Sequence, residues 1–206
     1  MHNLILISTE DPASKNISTK LHELVDWKKL DISFDNKPIE EHSHFYLATI
    51  DEMHIHADNI DSRIKSACGI NFDTIIVASR HQSKENRRTL TVHPIGNFGE
   101  PLAGGKNMML TPTAPHLMCT ALRELKKVAK GLPYDVSLEC THHGPLVNTK
   151  TFFIEIGSNM DAWNDPRCSE AIAKTILSIP HSEFRFPNSE IPTAVGVGKG
   201  HYVPRL

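Results

Sequence analysis

Cys140-Thr141-His142-His143-Gly144-Pro145 places two adjacent imidazoles directly before a turn that stops both helix and sheet. Imidazole titrates nearest neutral pH and is the commonest metal ligand, so His142 and His143 suit proton transfer or zinc binding. Val136-Ser137-Leu138-Glu139-Cys140 reads as a short strand entering the pair. Adjacent strand residues point to opposite faces, so one ring can face a site while the other is buried against a carbonyl. Glu139 and Glu155 lie within apolar strand-like runs, where a carboxylate needs a partner: a histidine to orient, a metal to ligate, or an outward position in water.

Three more strand ends carry polar clusters: Ser79-Arg80-His81, His93 after Thr91-Val92, and Gly198-Lys199-Gly200-His201-Tyr202. If these strands lie side by side and run the same way, His81, His142 or His143, and His201 converge on one crevice at their carboxyl ends. Arg80, Lys84, Arg87 and Arg88 put four cations beside one of those ends, suited to phosphate or equally to water. Glycines at 196, 198 and 200 allow close backbone approach to an anion, although the spacing is neither a P-loop nor a dinucleotide fingerprint. His42 with His44, and His54 with His56, have the two-residue spacing of sheet metal sites or of exposed histidines. Cys140 reads as a small buried hydrophobe rather than a nucleophile, and no Gly-x-Ser-x-Gly occurs, so activated water fits better than a covalent intermediate.

The elements that must hold these groups alternate between strand and helix. Residues 4–8 read as a buried strand, and Asp11-Pro12 opens a helix to about Trp27. Strands follow at 31–34 and 45–50, with a turn at 35–38, and a short helix from Asp58 ends at Gly69. Strands at 74–78 and 89–92 precede a helix over about 113–130, whose stripe of Leu and Met is core. Strands at 135–140 and 151–156, a helix opened by Asp165-Pro166 and closed by Pro180, and a final strand at 193–197 complete the chain. Residues 97–106, rich in glycine, read as a loop or lid. The whole predicts an α/β three-layer sandwich in one domain, with a mixed, largely parallel central sheet.

A formal net charge of −2, from 22 basic and 24 acidic side chains, excludes a protein that coats nucleic acid by bulk charge; any such contact is local. Four dispersed cysteines form no zinc ribbon or disulfide framework, and the short apolar amino-terminal stretch lacks the basic flank of a leader. A soluble cytoplasmic protein is expected. Histidine, present 13 times, is the compositional signature.

Ser79-Arg80-His81, Thr89-Leu90-Thr91-Val92-His93 with Gly96-Asn97-Phe98-Gly99, Thr141-His142-His143-Gly144-Pro145, Phe153-Ile154-Glu155-Ile156-Gly157-Ser158 with Trp163, and Gly198-Lys199-Gly200-His201-Tyr202-Val203-Pro204-Arg205 together resemble the archaeal and plant type of D-aminoacyl-tRNA deacylase. The resemblance implies hydrolysis of the ester between a D-amino acid and the 3′ end of tRNA, dependence on Zn2+, and a fold like that of peptidyl-tRNA hydrolases and nucleoside phosphorylases. On it, His142 and His143 position zinc or its water with Glu155 as ligand or base, and His81 and His201 are further catalytic histidines. Gly198, Gly200 and Tyr202 contact the acyl end, while Arg80, Lys84, Arg87 and Arg88 hold acceptor-end phosphates. The partner is D-aminoacyl-tRNA, with no DNA and no membrane, and a monomer is expected. Lys199 departs from the small residue usual at its position, and family chains continue past Tyr-x-Pro-Arg, so residues 1–206 are expected to form one deacylase-like domain lacking that further segment. The rival readings are a nucleoside-phosphorylase-like or other small-molecule hydrolase, and a non-catalytic module that binds tRNA or metal.

Overall fold

The structure is a computed structural model describing residues 2–182, 192–197 and 200–203. Strand β1, Asn3–Ser8, is buried along its whole length, as a strand covered on both faces must be. Asp11 then caps helix α1, Pro12–Leu24, accepting a hydrogen bond from the Ser14 amide, with Pro12 at the first helical position. A hairpin of β2, Lys28–Phe34, and β3, Lys37–His42, turns at Asp35 and Asn36, both at positive φ, the backbone state that matches strand twist. The turn expected at 35–38 forms at Asp35 and Asn36, and from Lys37 the chain is already strand β3, which makes the meander three-stranded with β4, Phe45–Ile50.

Helix α2, Ile60–Cys68, ends on Gly69 at φ +73°, the left-handed cap that glycine adopts without penalty. Strand β5, Thr74–Gln82, runs four residues past its apolar stretch, because Ser79 to Gln82 stay paired with Glu155 to Ser158 of β8, Lys150–Ser158. Ser79-Arg80-His81 is therefore strand and not the loop after it. Strand β6, Thr89–His93, helix α3, Pro115–Val128, and β7, Asp135–Glu139, form the next unit, followed by α4, Met160–Trp163, and α5, Pro166–Ser178, capped by Asp165. The strand expected at 193–197 is absent; those residues are exposed coil, and the last strand among the described residues is β9, Tyr202–Val203, which pairs with the end of β7.

The nine strands among the described residues form one mixed sheet in the order β2-β3-β4-β1-β5-β8-β6-β7-β9, with a parallel block β4-β1-β5-β8 at its centre. Alternate residues feed two cores. Ile5, Ile76, Leu90 and Ile154 point to the face covered by α1, α3 and α5, while Leu4, Ile75, Val77 and Phe153 point to the face covered by α2, which gives three layers. No helix among the described residues is long and apolar enough to cross a membrane.

The parallel run breaks at β6, which is antiparallel to β8 while β7 is parallel to β6. The crevice of co-directional strand ends expected from sequence does not form. The register instead lines up Ser79, Glu155, Thr91 and Ser137 across β5, β8, β6 and β7, with His81, Gly157 and Thr89 one step to one side and Phe153 and His93 one step to the other. Period-two alternation puts all of these on the α2 face, past the edge of α2, so the site is a polar basin on the sheet's face.

The turn beside this basin is held by close backbone packing. Gly104 lies at φ +75°, and a Cβ there would fall 1.6 Å from the Ile55 carbonyl oxygen. Gly104→Ala is expected to cost about 3 kcal/mol through overpacking and left-handed strain, read from the urea midpoint. An unchanged midpoint would show that this packing is not as tight as described.

Candidate active site and metal centre

His93 and the His142–His143 pair share one construction principle. The Nδ1 of His93 lies 3.0 Å from the Pro94 carbonyl, that of His142 lies 2.8 Å from the Cys140 carbonyl, and that of His143 lies 2.6 Å from the Gly144 carbonyl. A carbonyl only accepts, so each Nδ1 carries the proton and each Nε2 keeps its lone pair, the orientation of metal-ligating histidines. The strand entering the pair stops at Glu139, and His143 takes a left-handed φ of +47°, so the in–out alternation of a strand does not apply to the two rings. Their centroids lie 4.4 Å apart, and His142 stacks on His93 at 4.5 Å.

Glu139 is the hub of the second half of the basin. Its Oε2 lies 2.7 Å from His201 Nε2, 3.3 Å from His81 Nδ1 and 3.7 Å from His142 Nε2, and its side chain is fully buried. Burial works against charge on Glu139, but the His201 imidazole beside it, with His93 and His81, outweighs burial and holds the carboxyl well below the usual range. The same contact raises the pKa of His201, whose side chain is partly exposed. Burial lowers His81 and His142 to about 4, and lowers His93 and His143 as well, so these four are neutral at physiological pH. His81 Nδ1–H therefore faces Glu139, and its Nε2 accepts from the Tyr202 hydroxyl at 2.9 Å. Burial, then the charges of Glu139 and Asp11, push Glu155 well above the usual carboxylate value; its Oε2 lies 3.5 Å from His93 Nε2.

Several atoms aimed into this basin are buried without a hydrogen-bond partner among the described residues: both Glu139 oxygens, His93 Nε2 and His201 Nε2. The 2.7 Å approach of His201 to Glu139 is thus an ion pair whose angles fall short of a hydrogen bond. Unpaired nitrogen and oxygen donors converging around buried carboxylates are what a divalent cation satisfies. Among the described residues three sets have ligand atoms within 4.8 Å of one another: His93, His142 and His143; His81, Glu139, His142 and His201; and His93, Glu139 and Glu155. The expected pairing of Glu155 with both His142 and His143 is divided between the first and third sets, with His93 common to both. Cys140 stays outside them: burial, then Glu139, raises its thiol pKa, which disfavours the thiolate.

The remaining expected residues separate by face. Arg87 packs 5.2 Å over the Tyr202 ring and pairs with Asp135 at the basin rim. Arg80 and Arg88 point away, 4.8 Å over Trp163 and 5.8 Å over Tyr134, rings that belong to the opposite, helix-covered core. Lys84 is exposed, Gly200 lies at φ +109°, and Gly198 falls outside the described residues. His42 hydrogen-bonds the Asp26 carbonyl and belongs to none of the metal-competent sets, nor do His44, His54 and His56.

Behind the basin, Asp11 Oδ2 accepts from the Ser79 hydroxyl at 3.1 Å and the Arg80 amide at 2.9 Å, and buried His54 stands 3.8 Å away. Burial lowers His54 from 6.5 to about 4. The unfolded chain takes this proton below pH 6.5 and the folded chain resists it, so stability is full above pH 6.5 and falls as pH drops toward 4. His54 alone accounts for about 3 kcal/mol of that fall. Urea titrations at pH 7 and 4.5 should show a smaller acid loss in His54→Gln than in the parent; equal losses would contradict this assignment.

The comparisons with known proteins agree with one another. A family model described as D-aminoacyl-tRNA deacylase matches residues 68–206. The D-aminoacyl-tRNA deacylase of Methanosarcina barkeri is 39% identical over 98% of this chain and 66% of its own length, and that of Thermococcus kodakarensis is 36% identical over 98% and 73%. The chain spans about two thirds of the length of these curated relatives. The crystal structure of a conserved protein of unknown function superposes with a TM-score of 0.88 at 32% identity, covering 98% of this chain and 70% of that one. Futalosine hydrolase of Helicobacter pylori shares the fold alone, with a TM-score of 0.54 at 11% identity. The chain belongs to the D-aminoacyl-tRNA deacylase family.

Proposed function

We propose that this chain hydrolyses the ester of D-aminoacyl-tRNA in the basin on the sheet's face, releasing a D-amino acid and tRNA. The observation that carries the reading is the set of three neutral histidines, His93, His142 and His143, each fixed through Nδ1 to a backbone carbonyl, beside the buried and ionised Glu139. These histidines would hold Zn2+ through Nε2, in the three-ligand arrangement of catalytic zinc. When bound, the ion lowers the pKa of water and polarises an ester carbonyl.

The protein groups divide the remaining work. Glu139 Oε2 accepts the proton of the attacking water. His201, whose pKa Glu139 raises and whose side chain is partly exposed, donates in its protonated form to the leaving ribose oxygen. His81 anchors Glu139 from the other side and is itself held by the Tyr202 hydroxyl, whose pKa burial and then Glu139 raise, so that it remains a donor. Arg87 at the rim, with exposed Lys84 near it in sequence, supplies positive charge for acceptor-end phosphate. Arg80 and Arg88 have no part in this reading, because their guanidinium groups pack over Trp163 and Tyr134 on the other face.

Product analysis separates this reaction from the nucleoside-phosphorylase-like cleavage of the rival reading. Incubation with D-tyrosyl-tRNA in H2 18O should release D-tyrosine carrying 18O and leave the terminal adenosine intact. Free adenine would assign the basin to glycosidic cleavage.

A further inference from the structure

The segment leaving His93 is a glycine-rich stretch to which the reaction gives no role. Its backbone is tied to the histidine turn: Gly96 donates to the His143 carbonyl at 2.9 Å, Gly144 donates to the Ala103 carbonyl at 3.0 Å, and Ile95 bridges His142. Asn97 clamps it from within, its side-chain amide donating to the Gly104 carbonyl at 3.0 Å and its backbone amide to the Met109 carbonyl at 2.8 Å. This backbone is fixed, not a lid free to swing.

The same loop turns its large apolar side chains outward. Phe98 is 68% exposed, Leu102 91% and Met108 69%, and Met109 and Leu110 are about half exposed. Five such residues within thirteen positions form the main concentration of exposed large apolar side chains among the described residues, and a pinned loop gains nothing for its own stability by showing them to water. The loop that carries them is bonded through Gly96, Ala103 and Ile95 to the His142–His143 turn, beside the basin.

We propose that this loop is the docking surface for the unpaired 3′ end of the tRNA, Phe98 stacking on a terminal base and Met108 and Leu110 forming an apolar wall beside it. The inference rests on the deacylase reading and specifies how that substrate is held. Single-stranded nucleic acid is bound by aromatic platforms flanked by cations, because every base offers a π face and every linkage a phosphate. Both residue types are present: exposed Phe98 and exposed Lys106 belong to this loop, and Arg87 lies over the Tyr202 ring at β9. The net charge of −2 gives no general attraction to RNA, so affinity must come from such local contacts.

The test uses tRNA carrying 2-aminopurine as its terminal base, together with single-turnover discharge of D-tyrosyl-tRNA, in the parent, Phe98→Ala, Phe98→Trp and a Phe98→Ala/Met108→Ser/Leu110→Ser variant. The parent should quench the 2-aminopurine, Phe98→Ala should abolish the quench, and Phe98→Trp should restore it. The triple variant should raise the half-saturating tRNA concentration about tenfold or more while the saturated rate stays within about threefold. Equal quenching and half-saturation in all variants would overturn the proposal. So would sedimentation showing a parent dimer that the triple variant breaks, since the loop would then serve a second copy. The quench does not depend on hydrolysis, so a parent that quenches without discharging contradicts the deacylase reading and leaves the docking surface standing.

Discussion

Replacing Glu139 with Gln is expected to slow the saturated discharge of D-tyrosyl-tRNA by about a thousandfold, in the range of losing a positioned general base. The substitution preserves volume, but it removes the charge that His201, His81 and His142 surround and can place an amide N–H against His201 and His81, which already act as donors toward Glu139. It also removes the cause of the raised His201 pKa, so the residual activity should lose its basic limb at lower pH than the parent. A Gln variant that folds, by circular dichroism and urea midpoint, and still discharges within threefold of the parent would remove Glu139 from the mechanism.

Stripping the metal is expected to have an effect of the same order. Dialysis against a zinc chelator should abolish discharge, and one equivalent of Zn2+ per chain should restore it together with a higher melting temperature, because a ligand that binds only the folded state stabilises it by mass action. His93→Ala should weaken zinc binding and lose that rise in melting temperature, with Tyr202→Phe as the control that keeps it. The reasons are the carbonyl-anchored Nδ1 atoms of His93, His142 and His143 and the unpaired buried donors around Glu139. Full activity at undetectable metal would mean that the histidines and carboxylates act on water alone.

The parts of this architecture that rest on local chemistry were legible in the sequence. Asp11-Pro12 and Asp165-Pro166 open helices with the caps their side chains supply, and Gly69 ends one in the left-handed state. What escaped depends on pairing between distant segments. β5 extends through His81 because β8 offers it partners, and β3 forms despite Pro38 and two glutamates because β2 and β4 flank it. Strand direction was likewise invisible: β6 runs against β8, which moved the site from an edge to a face.

The same cause explains which residues of the basin the sequence singled out. His81, His142, His143 and His201 announced themselves as histidines at strand ends. His93 and Glu139 were noticed, Glu139 as a carboxylate able to orient a histidine, ligate a metal or act as a base, but neither was placed among the catalytic residues, although period-two alternation through Thr89-Thr91-His93 and Ser137-Glu139 was the available signal. The same alternation turns Arg80 away from Ser79 and His81, a separation that a count of nearby cations cannot detect.

The central claim is that this basin discharges D-aminoacyl esters of tRNA. Its most direct test is single-turnover hydrolysis of D-tyrosyl-tRNA against L-tyrosyl-tRNA by the zinc-loaded protein. Rapid discharge of the D ester with the L ester left near its spontaneous rate is the predicted result; equal rates, or no discharge of either by folded, zinc-loaded protein, would contradict it.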